Sequence, residues 1–122
     1  RSNFITGQTK CLDGQTLVYE SGGQEFTQQV PPAWRPSNGP VIVALRPEKI
    51  VIEAAKPGLA NSVQGTIAAF QYIGANFHLE VRTQTIGTVV VTMAAWMCQV
   101  SPTVGAEVWL GWTHNASVLV EN

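Results

Sequence analysis

The chain has 122 residues, seven Lys and Arg against eight Asp and Glu, and 45% apolar side chains. That length makes one domain able to bury about two-thirds of its unfolded surface, and the near-zero net charge excludes a partner held mainly through phosphates, which needs a basic footprint. No apolar run is long enough to span a bilayer and no signal peptide opens the chain, while Arg1-Ser2-Asn3 without an initiator Met reads as a piece cut from something longer.

Glycine, proline and β-branched residues dominate, and no stretch beyond about ten residues carries helical periodicity. Phe4-Ile5 opens a first strand. Thr16–Tyr19 and Glu25–Thr27 follow as strands joined through Ser21-Gly22-Gly23-Gln24, a glycine pair that supplies the positive φ of a tight hairpin. The proline-rich stretch from Pro31 to Pro36 lacks ladder donors and reads as a loop or edge. Lys56-Pro57-Gly58 breaks the chain before Val63-Gln64-Gly65-Thr66-Ile67, and Phe70–Val81 contains two strands separated by a kink at Gly74. Gly87–Thr92 is the most strand-like run. Met93–Cys98 reads as one helical turn plugging a barrel end, buried, with Trp96 and Met97 as pocket-lining residues in the rival reading.

Two segments repeat each other. Pro36-Ser37-Asn38-Gly39, the run Val41–Leu45, the corner Arg46–Lys49 and the run Ile50–Ile52 recur as Pro102–Gly105, Val108–Leu110, the corner Trp112–Asn115 and Val118–Val120. Each copy is a strand, corner, strand unit entered through a Pro-x-x-Gly turn, so the doubling fixes the architecture. The fold class is all-β: a small barrel of the OB (oligonucleotide-binding) type with two similar, intertwined lobes, about 1–56 and 61–122.

Chemistry-bearing motifs are thin. Ser21-Gly22-Gly23-Gln24 spells the core of the ATP-binding-cassette signature, but strand-like flanks and Glu25 make it a hairpin turn, and no Gly-x-x-x-x-Gly-Lys-Ser/Thr phosphate cradle exists. Asp13 lies in a turn. His78 and Glu80 share a strand face without a second histidine nearby, and read as an ordinary polar pair. Cys11 and Cys98 read as free thiols. No nucleophile comes with a base partner, so no catalytic set, metal or cofactor site is expected. Of the tryptophans, Trp109 is expected inside, and Trp112, with Trp34 in the proline-rich loop, is expected at the surface as an anchor for another protein.

From Val43 to Ile50 the chain resembles the transport-associated OB (TOBE) domain, the C-terminal accessory domain of ABC importer ATP-binding subunits, in its spermidine/putrescine, ferric-iron and sugar importer form. The resemblance rests on Phe4-Ile5-Thr6-Gly7, Arg46-Pro47-Glu48, Gly65-Thr66-Ile67, Tyr72-Ile73-Gly74, Gly105–Leu110 and Trp112 in order. It departs at Thr6, where the family has glycine, and at Trp112–Asn115, which lacks the acidic residues often seen there.

The resemblance implies a regulatory and dimer-contact domain without catalysis of its own. The nucleotide-binding domain, with its ATP and Mg, would lie outside this chain. The implied partners are that domain, a second copy of the subunit and the transporter's membrane subunits, at the cytoplasmic face of the cell membrane and without nucleic acid. Arg46 and Glu48 are the expected regulatory surface, beside a local salt bridge as the plainer account of them. The alternative is a small-ligand domain for an oxyanion, as in some relatives of the broader family, or for a polyamine. A single-stranded nucleic-acid-binding barrel comes third.

Overall fold

A computed structural model describes residues 2–120. Apolar residues recur with period two along ten strands, which is what a sheet with one buried face requires. They are β1 (Asn3–Asp13), β2 (Thr16–Ser21), β3 (Gln24–Gln29), β4 (Val41–Leu45), β5 (Val51–Glu53), β6 (Asn61–Ile73), β7 (Asn76–Thr83), β8 (Thr88–Ala94), β9 (Glu107–Trp112) and β10 (Ser117–Val120). The described residues contain no α-helix; single 3₁₀ turns occupy Pro47–Lys49 and Ala95–Met97.

The strands form two five-stranded antiparallel sheets, ordered β10-β4-β1-β2-β3 and β5-β9-β6-β7-β8. The two orders superimpose when β1–β5 are renamed β6–β10 and the reverse. Each lobe therefore lends its last strand to the other: β5 pairs with β9, and β10 pairs with β4. The intertwining expected from the repeat is this exchange. Even the irregularities repeat. A register shift between Thr9 and Cys11 in β1 recurs between Ile67 and Ala69 in β6. Just before each lies a glycine, Gly7 or Gly65, where an added Cβ would collide with the backbone of the neighbouring strand. Bulge and glycine together bend each long strand so that its sheet curls.

Two asparagines tie the lobes together. Asn61, buried at the start of β6, accepts from Thr27 N at 2.7 Å and donates to Thr27 O at 3.0 Å. Asn3, at the matching place in β1, accepts from Val90 N at 2.8 Å and donates to Val90 O at 2.9 Å. Thr27 and Val90 sit on the edge strands β3 and β8, whose outward backbone groups would otherwise lack partners.

A third polar clasp closes the first lobe. Buried Gln28 on β3 donates from Nε2 to Ser117 O of β10 at 2.8 Å and accepts from Ser117 Oγ, and Gln29 N donates to His114 O at 2.8 Å. The hairpin Ser21–Gln24 turns through Gly22 and Gly23, both at positive φ (61° and 83°), as its spelling predicts. Its tip packs on the other lobe, where Thr85 Oγ1 donates to Gln24 Oε1 at 2.9 Å.

Between the sheets, Trp112 of β9 stacks on Phe26 of β3 at 5.6 Å, and Phe26 on Tyr19 of β2 at 5.7 Å. Trp112 is 1% exposed, which corrects its expected place at the surface. Val108 and Leu110 point inward, so strand alternation sends Trp112 inward as well and turns Trp109 out, where Lys56 Nζ lies 5.9 Å from its ring. The expected buried plug at Met93–Cys98 is also corrected. Trp96 and Met97 are 84% and 53% exposed, because the 3₁₀ turn sits outside the barrel, tied by Ala95 N to Ala75 O at the β6–β7 tip.

Asn61→Ala removes both bonds to the Thr27 backbone, and a third from the Thr27 hydroxyl, and leaves that edge backbone pair unsatisfied, so urea denaturation should show a loss of about 2–4 kcal/mol with the fold retained. Tyr19 behaves oppositely. Its hydroxyl is buried without a hydrogen-bond partner among the described residues, and burial pushes the phenol far above its ordinary pKa. Tyr19→Phe should therefore leave the thermal midpoint unchanged or raise it, because no hydrogen bond is lost and a polar group leaves the core.

Candidate functional site

The strand exchange leaves an open seam in each half-barrel, where its two edge strands approach without pairing. A cleft lies along each seam. The first, about 470 Å³, is lined by Gln15, Gln28, Gln29, Val30, Pro31, Ser117, Val118 and Leu119. The second, about 430 Å³, includes Ile50, Val51, Ile52, Thr92, Met93, Ala94 and Met97, with Glu48, Glu53 and Gln99. The asparagine clamps put them in register. Thr27 matches Val90, so Gln28 matches Val91, and the pairings of β5 and β10 make Ser117 match Ile50. Where the first seam is clasped by Gln28 and Ser117, the second has buried Val91 and Ile50 at the matching places. One duplicated architecture thus carries one amide-lined cleft and one apolar cleft.

Two further clefts lie elsewhere on the surface. One, about 290 Å³, adjoins the amide-lined cleft across Leu119 and is lined by Trp34, Arg35, Ser37, Pro40, Val41 and Val120. Arg35 uses Nη1 on the carbonyls of Trp34 (2.8 Å) and Pro32 (3.3 Å), which fixes the head group while its other N–H groups remain for a ligand. The other, about 310 Å³, lies on the outer face of β6 and β7 and contains His78, Glu80 and Phe70.

Charge separates the four. Glu48 and Glu53 line the apolar cleft and Glu80 the outer one, whereas among the described residues no carboxylate lines the amide-lined cleft or its neighbour, and Arg35 lines the neighbour. The joined pair offers neutral amide and hydroxyl donors with one fixed cation. That set suits an anion stripped of part of its water.

The residues singled out in the sequence do not converge. Arg46 and Glu48 flank the 3₁₀ turn at Pro47 with a 3.9 Å contact between largely exposed side chains, worth under about 1 kcal/mol. Trp34 is half-buried and packed on the core rather than free, and it lines the Arg35 cleft. Trp112 lies in the inter-lobe stack. His78 and Glu80 share their cleft, but no group of three or more His, Cys, Asp or Glu among the described residues is placed to hold a metal. Cys11 and Cys98 are unbonded to each other.

Gln28, Gln29, Ser117 and Arg35 were not singled out. A signal existed for Gln28. It falls on the inward parity of β3 after Phe26, and a polar residue at a core position requires a buried partner.

No curated protein matches the chain. The sequence profile described as "TOBE domain" matches residues 43–120. Among solved structures, the chain is similar to the cytoplasmic molybdate-binding protein ModG, crystallised with molybdate bound. The TM-score is 0.77 at 10% identity, over 96% of this chain and 94% of that one. A counterpart matched end to end, described as a molybdate-binding protein, overturns the expectation of a regulatory and dimer-contact domain of an importer ATPase, the polyamine type included. With more than half of its length matched by that profile, the chain belongs to the TOBE domain family.

Proposed function

We propose that this protein is a non-catalytic binder of a small tetrahedral oxyanion of the molybdate and sulfate kind. The site is the amide-lined cleft between β3 and β10, with Arg35 at the adjoining rim. The observation that carries the reading is the end-to-end fold correspondence with the molybdate-binding ModG. At 10% identity no residue is transferred, so the binding groups are taken from this chain alone.

Three features of the cleft support the reading. No carboxylate lines it among the described residues, so none of these opposes a dianion there. Its polar lining is glutamine and serine, whose N–H and O–H groups donate to oxyanion oxygens as a hydration shell does. Gln28 and Ser117 are already bonded to each other, so the clasp sets the floor while Gln15, Gln29 and Arg35 supply free donors. The volume of about 470 Å³ exceeds one oxyanion and leaves room for bridging waters. Binding of this kind makes and breaks no covalent bond.

Isothermal titration with molybdate, tungstate and sulfate checks this, with spermidine as a cationic control. Saturable heat at about micromolar oxyanion is expected. Arg35→Ala should weaken it roughly tenfold, and Gln29→Glu, which places a carboxylate in the cleft, by more. Both positions are exposed, so the thermal midpoint should hold in each variant. Absence of heat at millimolar oxyanion sinks the proposal, as does full affinity in both variants.

A further inference from the structure

We propose that the second seam cleft, between β5 and β8, is a separate site for a small organic cation carrying an apolar body. The internal symmetry makes this cleft the structural twin of the amide-lined one, yet the sequence has inverted its chemistry. Gln29 is replaced by Thr92, Val30 by Met93, Leu119 by Ile52 and Val120 by Glu53, following the register set by the asparagine clamps and the edge-strand pairings. The twin has lost the seam amides corresponding to Gln28 and Gln29, keeps an amide only at Gln99 among the described residues, and has gained methionines and carboxylates.

Each change points to the same class of ligand. Ile52 and Met93 give an apolar floor and wall, and Met93 and Met97 are unbranched side chains that adapt to an irregular apolar shape. Among the described residues, Glu48 and Glu53 are the only charged ones lining the cleft, and both are negative. No cation lies within salt-bridge distance of Glu53 among the described residues, and Glu48 meets only Arg46, at 3.9 Å between exposed side chains. Lys49 belongs to the same 3₁₀ turn as Glu48 but does not line the cleft, and Lys56 lies over Trp109. Two carboxylates over an apolar floor leave a cationic head favoured at the rim and an apolar body within.

The 3₁₀ turn that contributes Met97 to the cleft carries one more fitting element. Trp96, next to Met97 on the 3₁₀ turn, is 84% exposed, whereas Trp34 beside the twin cleft is packed on the core. An exposed indole one residue from the cleft-lining Met97 is available to give a quaternary or primary ammonium a cation–π contact in addition to charge attraction.

The test uses benzyltrimethylammonium as the cation and benzyl alcohol as the uncharged control, by isothermal titration and tryptophan fluorescence. Saturable binding of the cation is expected, at least tenfold tighter than that of the alcohol. Glu48→Gln alone should weaken it a few-fold, and Glu48→Gln with Glu53→Gln about tenfold or more. Glu48 is exposed, so the single variant reads out even if the double variant melts early. Trp96→Phe should reduce the fluorescence change, and molybdate at saturation should leave the cation's affinity unchanged, separating this site from the first. Equal affinity for the alcohol, undiminished affinity in folded carboxamide variants, or no saturation by about ten millimolar cation would each overturn the proposal.

Discussion

Two carboxamides hold this molecule in its shape. Asn3 and Asn61 each fill the donor and acceptor of one backbone residue on the far lobe's edge strand, where a continuing sheet would otherwise add another strand. A carboxamide has one acceptor and one donor end spaced to match a peptide unit, so it ends the edge without extending it. Each clamp also fixes how far one curled sheet sits along the other. The inter-lobe stack of Trp112, Phe26 and Tyr19 depends on that placement, because Trp112 lies opposite Asn61 in the ladder and Phe26 precedes Thr27.

Exchange of β5 and β10 follows from the same constraint. In a lobe of four strands the core strand β4 or β9 would be an edge, and each lobe covers it with the short strand leading out of the other. The exchange also creates the seams. Edge strands that approach without pairing leave clefts between them, and the clefts become sites because their linings were free to diverge after the framework was duplicated. The first seam kept a hydrogen-bonded clasp at Gln28 and Ser117; the second has buried Val91 and Ile50 at the matching places. A shared scaffold thus accommodates opposite polarity at two equivalent positions, because the framework rests on backbone ladders and clamps and not on seam side chains.

The misplacement of Trp112 shows how parity operates. Taking Trp109 as the core residue places Val108 and Leu110 outside, which no strand with a buried face tolerates at those residue types. The alternation Val108, Leu110, Trp112 was present in the chain and decides the matter by itself. The turn at Met93–Cys98 is different. Its apolar composition reads as buried, but the β6–β7 hairpin, each strand two residues longer than its counterpart in the β1–β2 hairpin, holds the turn outside the barrel through Ala75 O.

The sequence alone determined the all-β class, the doubling, the glycine hairpin at Ser21–Gln24 and the TOBE resemblance, since these reside in local periodicity, turn chemistry and residue order. Tertiary structure alone decided which strands change lobes, that the Arg35 cleft adjoins the one lined by Gln28, Gln29 and Ser117 across Leu119, and that Arg46 and Glu48 stand apart from that cleft. Those facts join β3, the proline loop and β10, segments up to 89 residues apart, and contact across such a separation is set by sheet curl and strand exchange, which no local pattern encodes.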